Sequence, residues 1–171
     1  MAADKFLRNV GGVVTEISGE VTAVANAIPA LDATGRVPVA QMPVGVGPEV
    51  LTIATSETLV AGNFVNIWKN GAALAARKAD ASAVGKEANG FVLAGFTHPT
   101  NATVYALSGI SNTAATVTTL GARQYLSTTP GATVETMPTY AGGARICQFL
   151  GKGVTLTEMT AEAHDYIVLA S

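Results

Sequence analysis

Apolar side chains recur at a regular spacing in the N-terminal segment. They alternate in steps of three and four residues, and we call this set the N-terminal stripe: Leu7, Val10, Val14, Ile17, Val21, Val24, Ile28 and Leu31. Such spacing is typical of the buried face of a coiled-coil helix, and β-branched residues at most of these positions favour three or more helices over two. The pattern predicts an α-helical coiled-coil stalk over residues 1–27. Its trimer interface would comprise Leu7, Val10, Val14, Ile17, Val21 and Val24.

The same segment contains residues that weaken an isolated helix. Gly11, Gly12 and Gly19 each cost about 1 kcal/mol relative to alanine. Burial of a Val, Leu or Ile side chain contributes roughly 1.5–3 kcal/mol, so the stripe outweighs the glycines only if partner chains cover it. A β-strand is the alternative, because residues 15–22 also alternate between apolar and polar positions. Both interpretations require partner chains.

The rest of the chain divides by its turn-forming residues. Residues 28–48 hold four prolines and three glycines, and proline lacks a backbone donor, so this part is predicted to be an extended neck. Residues 49–171 contain many short runs rich in Thr and Val between turn signals such as Asn70-Gly71. We therefore predict a mainly β protein whose head, residues 49–171, is a compact β-barrel or β-sandwich. Within the head, residues 79–88 fit either a short helix or a loop.

Composition limits the partners of this chain. Hydrophobic residues make up 49% of the sequence and charged residues 13%, against about 25% charged in typical globular domains. No apolar run approaches the roughly 18 residues of a membrane-spanning helix, and no signal peptide is apparent. With ten basic and twelve acidic residues and no basic cluster, nucleic-acid binding is not expected. The low charge favours burial of surface against other protein chains.

Few residues indicate catalysis or metal binding. The single cysteine, Cys147, cannot form an internal disulfide and is expected to be a buried thiol. Glu158, Glu162, His164 and Asp165 cluster near the end of the sequence, but their spacing matches no standard metal site. We therefore predict no enzymatic activity, no metal and no cofactor.

Two further features have simple structural interpretations. The glycines at 151 and 153 lack the longer spacing of a phosphate-binding loop and are predicted to form a tight turn. Trp68 and Tyr125 are aromatic rings that could stack on a sugar, yet each lies in a strand pattern where core packing is the commoner role.

Three stretches resemble parts of bacteriophage fibre and capsid-decoration proteins. "IPALDATGRVPVAQMP" resembles the element between coiled-coil and fibre domains of phage head and tail fibres. "GNFVNIWKNGAALAARKADASAVGKEANGFVLAG" is similar to phage virion β-domains. "ARQYLSTTPGATVETMPTYAGGARICQFLGKGVTLTEM" is similar to the ending of such modules. Together they cover most of residues 28–158.

This resemblance implies a structural role in a virus particle. Modules of this kind project from the shell as trimers, so the chain is expected to be a trimeric capsid decoration (cement) or head-fibre protein. Its partner would be the major capsid protein, and it would lie on the capsid exterior after synthesis in the bacterial cytoplasm. The alternative is a tail-fibre or receptor-binding protein that recognises a host surface glycan. A stand-alone carbohydrate-binding or lyase module is a third interpretation.

Overall fold

The computed structural model describes residues 5–10, 13–20, 28–29, 31, 37 and 49–170 except residue 109. The chain divides into two compact units, Met1–Gly47 and Pro48–Ser171. Each is described below by itself. The finer division into a stalk (1–27), a neck (28–48) and a head (49–171) stays a prediction.

Every regular element in the described residues is a β-strand, which confirms the mainly β class. The first unit contains β1 (Lys5–Val10), β2 (Val13–Glu20) and β3 (Ile28–Pro29). The second contains β4 (Val50–Ala54), β5 (Phe64–Asn70), β6 (Ala73–Lys78), β7 (Gly90–Phe91), β8 (Asn101–Ala106), β9 (Arg123–Leu126), β10 (Thr133–Val134), β11 (Ile146–Cys147), β12 (Phe149–Thr155), β13 (Glu158–Met159) and β14 (Ile167–Val168).

The described elements of the first unit are strands, the alternative that the sequence left open for residues 15–22, and do not include the predicted stalk helix. β1 pairs antiparallel with β2 from Lys5↔Ser18 to Val10↔Val13, and β2 pairs parallel with β3. In sequence only Gly11 and Gly12 separate β1 from β2, and Gly-Gly is a signal for a two-residue hairpin connection. Glycine disfavours a helix interior, and β-branched residues suit a pleated strand. The remaining residues of the predicted stalk lie outside the described ones.

The second unit contains three sheets. A five-stranded sheet has the order β4-β8-β7-β5-β6, a four-stranded sheet has the order β10-β9-β12-β13, and β11 pairs with β14. The hairpin predicted at Asn70-Gly71 is confirmed, because β5 and β6 pair as far as Asn70↔Ala73. Gly71, at φ +65°, is the first residue of the two-residue turn, a position where glycine is favoured by its freedom to adopt positive φ.

Of the two arrangements predicted for the head, a β-barrel or a β-sandwich, a closed barrel does not form in the described residues. The two edge strands of the five-stranded sheet approach each other at one point, where Thr55 makes an isolated bridge to Ala76. The Ser56 N–H donates to the Ala76 carbonyl at 2.9 Å, and no further ladder joins β4 to β6 in this part of the chain. All five residues of β4 pair with β8. β4 ends at Ala54, so it is too short to pair with β6 as well and close the sheet.

Alternating residues of the five-stranded sheet serve two separate cores. Phe64 and Phe91 belong to a large cluster that also includes residues of the other two sheets, among them Leu126, Ile146 and Leu150. Their sequence neighbours, Val65 and Val92, belong to a second cluster on the opposite face, together with Ile53, Leu59, Ala76, Ala102 and Val104. Because successive strand residues point to opposite faces, this sheet is apolar on both.

Residues 79–88 form a loop, which settles the alternative left open by the sequence. Asp80 is 3% exposed, accepts hydrogen bonds from the backbone and hydroxyl of Ser82, and pairs with Lys86 Nζ at 2.9 Å. Burial alone would raise the pKa of Asp80, but the bonds from Ser82 and Lys86 lower the pKa below its ordinary value. The charged carboxylate therefore joins two parts of this loop, at Ser82 and at Lys86.

Candidate functional site

The residues of the predicted trimer interface lie partly in β1 and β2 and partly outside the described residues. Leu7 and Val10 lie in β1, Val14 and Ile17 lie in β2, and Val21 and Val24 lie outside the described residues. The interface itself stays a prediction.

Two edge strands of the second unit expose apolar residues on both faces. Val50 and Leu51 in β4 are 41% and 45% exposed, and Ile167 and Val168 in β14 are 68% and 58% exposed. In the part of the chain that the structure describes, β4 pairs only with β8 and β14 only with β11, so the other edge of each strand has backbone donors and acceptors outside a ladder. Edges of this kind readily pair with another chain. We call β4 and β14 the apolar edge strands.

An acidic cavity of about 680 Å³ lies beside the apolar edge strands. Its lining includes Glu49, Glu87 and Asp165, and it contains no Lys or Arg. Glu87 Oε2 is buried without a hydrogen-bond partner in the described part of the chain. Gln148, 3% exposed, forms part of the wall and is hydrogen-bonded to both the backbone N–H and C=O of Ala88.

The acidic cluster predicted near the end of the sequence is only partly assembled. His164 Nε2 lies 3.2 Å from Glu162 Oε2, and Asp165 lines the acidic cavity with His164. Glu158 lies in β13, paired with Thr155. In the residues that the structure describes, no three His, Cys, Asp or Glu side chains are placed to hold a metal ion.

The other candidates of the sequence are placed in the fold. Cys147 is buried in β11, and burial raises the pKa of its thiol. Tyr125 pairs with Phe149 across β9 and β12, with ring centroids 5.8 Å apart. Trp68 donates from Nε1 to Ser56 Oγ at 3.2 Å and lies under the Arg77 guanidinium. All three side chains therefore contribute to packing.

A second cavity, which the sequence did not indicate, has a volume of about 630 Å³. Small residues and threonines line it, so we call it the threonine cavity. At its wall Glu135 Oε1 accepts hydrogen bonds from Thr118 N at 3.0 Å, Thr118 Oγ1 at 2.6 Å and Thr119 N at 2.7 Å. These bonds lower the pKa of Glu135 from its ordinary 4.5 to about 2. The bond from the Thr118 hydroxyl has the largest effect, and the bond from the Thr119 backbone has the next largest.

This lowered pKa predicts an acid-sensitive contribution to stability. Because the pKa of Glu135 is lower in the folded chain, its contribution is present at neutral pH and is lost as the pH falls from about 4.5 to about 2. We expect Glu135→Gln to lower the free energy of unfolding at neutral pH and to flatten its decline over that interval. Urea unfolding at a series of pH values measures both effects. Glu158→Gln is the control, and an equal flattening in it would contradict the assignment.

Comparison with known proteins adds no relative. No family model matches the chain, and no curated protein and no solved structure matches it either. Among the described residues, no helix has the length and apolar character needed to cross a membrane.

Proposed function

We propose that this chain is a structural protein of a bacteriophage virion, a capsid-attached homotrimer of the decoration or head-fibre kind. The observation that carries the proposal is the pair of apolar edge strands, whose Val50, Leu51, Ile167 and Val168 side chains are each more than 40% exposed. Exposed apolar surface of this kind marks sites of protein–protein contact. The low charged content, 13%, and the resemblance of residues 28–158 to phage virion modules support the same role.

In this proposal the apolar edge strands meet neighbouring copies in the trimer. Backbone groups at a strand edge provide hydrogen bonds, and apolar side chains on both faces provide burial. The N-terminal arm, residues 1–48, would attach to the major capsid protein on the outside of the shell. A trimer at a three-fold junction repeats each contact three times and so gains avidity. The role requires no catalytic step, cofactor, nucleic acid or membrane.

Sedimentation equilibrium of the full chain tests the oligomer, and we expect a trimer. Replacing Ile167 and Val168 together by Lys places charge on both faces of β14, which should weaken association at least about tenfold. Leu74→Lys is the matched control, because Leu74 is 59% exposed but lies at the tip of the β5–β6 hairpin. A stable monomer of the unaltered chain, or equal effects of both changes, would contradict the role of β14.

Location on the particle tests the virion role. Purified full-length chain is added to shells of the phage that lack it, and bound protein is measured by co-sedimentation and electron microscopy. We expect saturable binding to the shell exterior. Binding to host cells or their polysaccharide without binding to shells would instead support a tail-fibre or receptor-binding protein.

A further inference from the structure

The threonine cavity is a defined concavity built from three separated segments. Its walls come from residues 61–64, residues 114–116 with Thr118, and residues 131–136, and Gln124 of β9 also lines it. Hydrogen bonds join these segments: Phe64 N donates to Gly131 O at 3.0 Å, and Thr118 N donates to Glu135 Oε1 at 3.0 Å. A volume of about 630 Å³ lies within the usual range of small-molecule sites.

Hydroxyl groups without internal partners line this cavity. In the described residues, the side chains of Thr116, Thr133 and Thr136 form no hydrogen bond with the protein, while all three border the cavity. Each hydroxyl can both donate and accept. Glu135 is fixed in place by its bonds from Thr118 and Thr119 and adds an oriented carboxylate. The cavity is therefore bordered by several polar groups, the three threonine hydroxyls and the Glu135 carboxylate, that could bond to a ligand.

The remaining lining excludes several ligand classes. Between the hydroxyls lie small apolar surfaces: Ala61, Ala114, Ala115, Ala132 and Val134. The lining contains one acidic side chain, Glu135, and no Lys or Arg. An anion such as a phosphate or carboxylate would meet a like charge without a compensating cation. A purely apolar ligand would leave the hydroxyls unpaired.

We propose that the threonine cavity binds a neutral, hydroxyl-rich ligand of the saccharide class. A pyranose ring presents C–H surfaces and hydroxyls side by side, which matches walls that contain both alanine methyl groups and threonine hydroxyls. The Glu135 carboxylate can accept from ligand hydroxyls, and the threonine hydroxyls can donate and accept. This site goes beyond attachment to a shell, which needs no small-molecule cavity.

Nuclear magnetic resonance titration of the full chain tests the proposal. The neutral probes are methyl glycosides of glucose, galactose, mannose and N-acetylglucosamine, with maltotriose as a linked sugar and glucuronate as an anionic counterpart. At least one neutral probe should produce saturable shifts of the backbone amides of residues 114–118 and 131–136, and glucuronate should bind at least about fivefold more weakly. Tighter binding of maltotriose indicates a linked saccharide chain, and equal affinity indicates a single sugar unit; both support the site.

Variants locate the binding groups. Thr133→Val and Thr116→Val remove a hydroxyl with little change of shape and should each weaken binding roughly threefold to tenfold. Thr103→Val is the control matched to Thr133→Val, because Thr103 and Thr133 are both half-buried in strands but Thr103 belongs to the five-stranded sheet. Thermal unfolding of each variant verifies the fold. Absence of saturable binding by every neutral probe, equal binding of glucuronate, or unchanged affinity in both cavity variants would overturn the proposal.

Discussion

Gly62→Ala is expected to destabilise the second unit by roughly 3–5 kcal/mol, from positive-φ strain and from overpacking. Gly62 has a φ of +85°, where an alanine side chain is strained. A Cβ atom at this position would lie 1.9 Å from the Ala114 carbonyl oxygen, so the backbone itself would have to move. Urea unfolding of the variant measures the loss.

The structure around Gly62 leaves little freedom for that movement. Gly62 N donates to Val92 O at 2.8 Å, and Gly62 O accepts from Asn112 Nδ2 at 3.0 Å. Asn112 is fully buried, and its Oδ1 accepts from Ala114 N at 3.1 Å. The Asn112 side chain is therefore hydrogen-bonded to both residues that approach each other here, Gly62 and Ala114. Displacing Ala114 therefore disturbs a buried hydrogen-bond network as well as the packing.

Gly121→Ala separates the two causes. Gly121 also has a positive φ, +75°, but a Cβ atom there would meet nothing within 4 Å. Its expected effect is only the conformational strain, about 1–2 kcal/mol. If both variants lose the same stability, the contact with Ala114 contributes nothing and the explanation for Gly62 is wrong.

Local patterns predicted the strands of the second unit well. Short Thr- and Val-rich runs between turn residues predicted strands in residues 49–171, and Asn70-Gly71 predicted the β5–β6 hairpin. These features depend on residues near in sequence, where a period of two and the conformational freedom of glycine dominate. The buried state of Cys147 followed from the same reasoning.

Features that depend on distant contacts were not predictable in this way. The spacing of three and four residues in the N-terminal stripe fits a helix, yet the described parts of that segment are strands. Hydrophobic periodicity alone includes neither the cost of Gly11 and Gly12 in a helix nor the free energy gained when two strands pair. Gly151 and Gly153 were predicted to form a turn, but both lie within β12. Both positions require glycine for lack of space. A Cβ atom would lie 2.0 Å from Thr160 O at Gly151 and 2.4 Å from Val117 Cγ1 at Gly153.

Both cavities also arise from distant contacts. The threonine cavity joins residues 61–64 with residues 114–118 and 131–136, and nothing in the sequence indicates that these segments meet. Glu135 lies 17 residues from Thr118, so the bonds that lower its pKa could not be inferred from spacing. A run of threonines predicts a strand or a solvated loop equally well. Only the folded structure shows that these threonines line the same cavity.

Gln148→Leu is expected to destabilise the second unit by about 3 kcal/mol, although it replaces a polar side chain by an apolar one in a buried position. Gln148 Oε1 accepts from Ala88 N at 2.8 Å, and its Nε2 donates to Ala88 O at 3.0 Å. Ala88 is 3% exposed, so its backbone N–H and C=O have little access to water in place of these bonds. Burial of a leucine side chain is more favourable than burial of a glutamine side chain, but leucine leaves the buried N–H and C=O of Ala88 unpaired. Each unpaired group costs about 1–3 kcal/mol.

Gln124→Leu is the matched control, because it changes the same residue type at an equally buried position. Gln124 is 1% exposed, but in the described residues its side chain makes a single hydrogen bond, 3.4 Å long, to Glu135 Oε1. That oxygen keeps its bonds from Thr118 and Thr119, so no buried group is orphaned and the expected loss is below about 1 kcal/mol. Hydrogen exchange adds a local measurement, since the Ala88 amide should exchange faster only in Gln148→Leu. Equal losses in the two variants, or an unchanged Ala88 amide, would show that the paired bonds to Ala88 do not stabilise the fold.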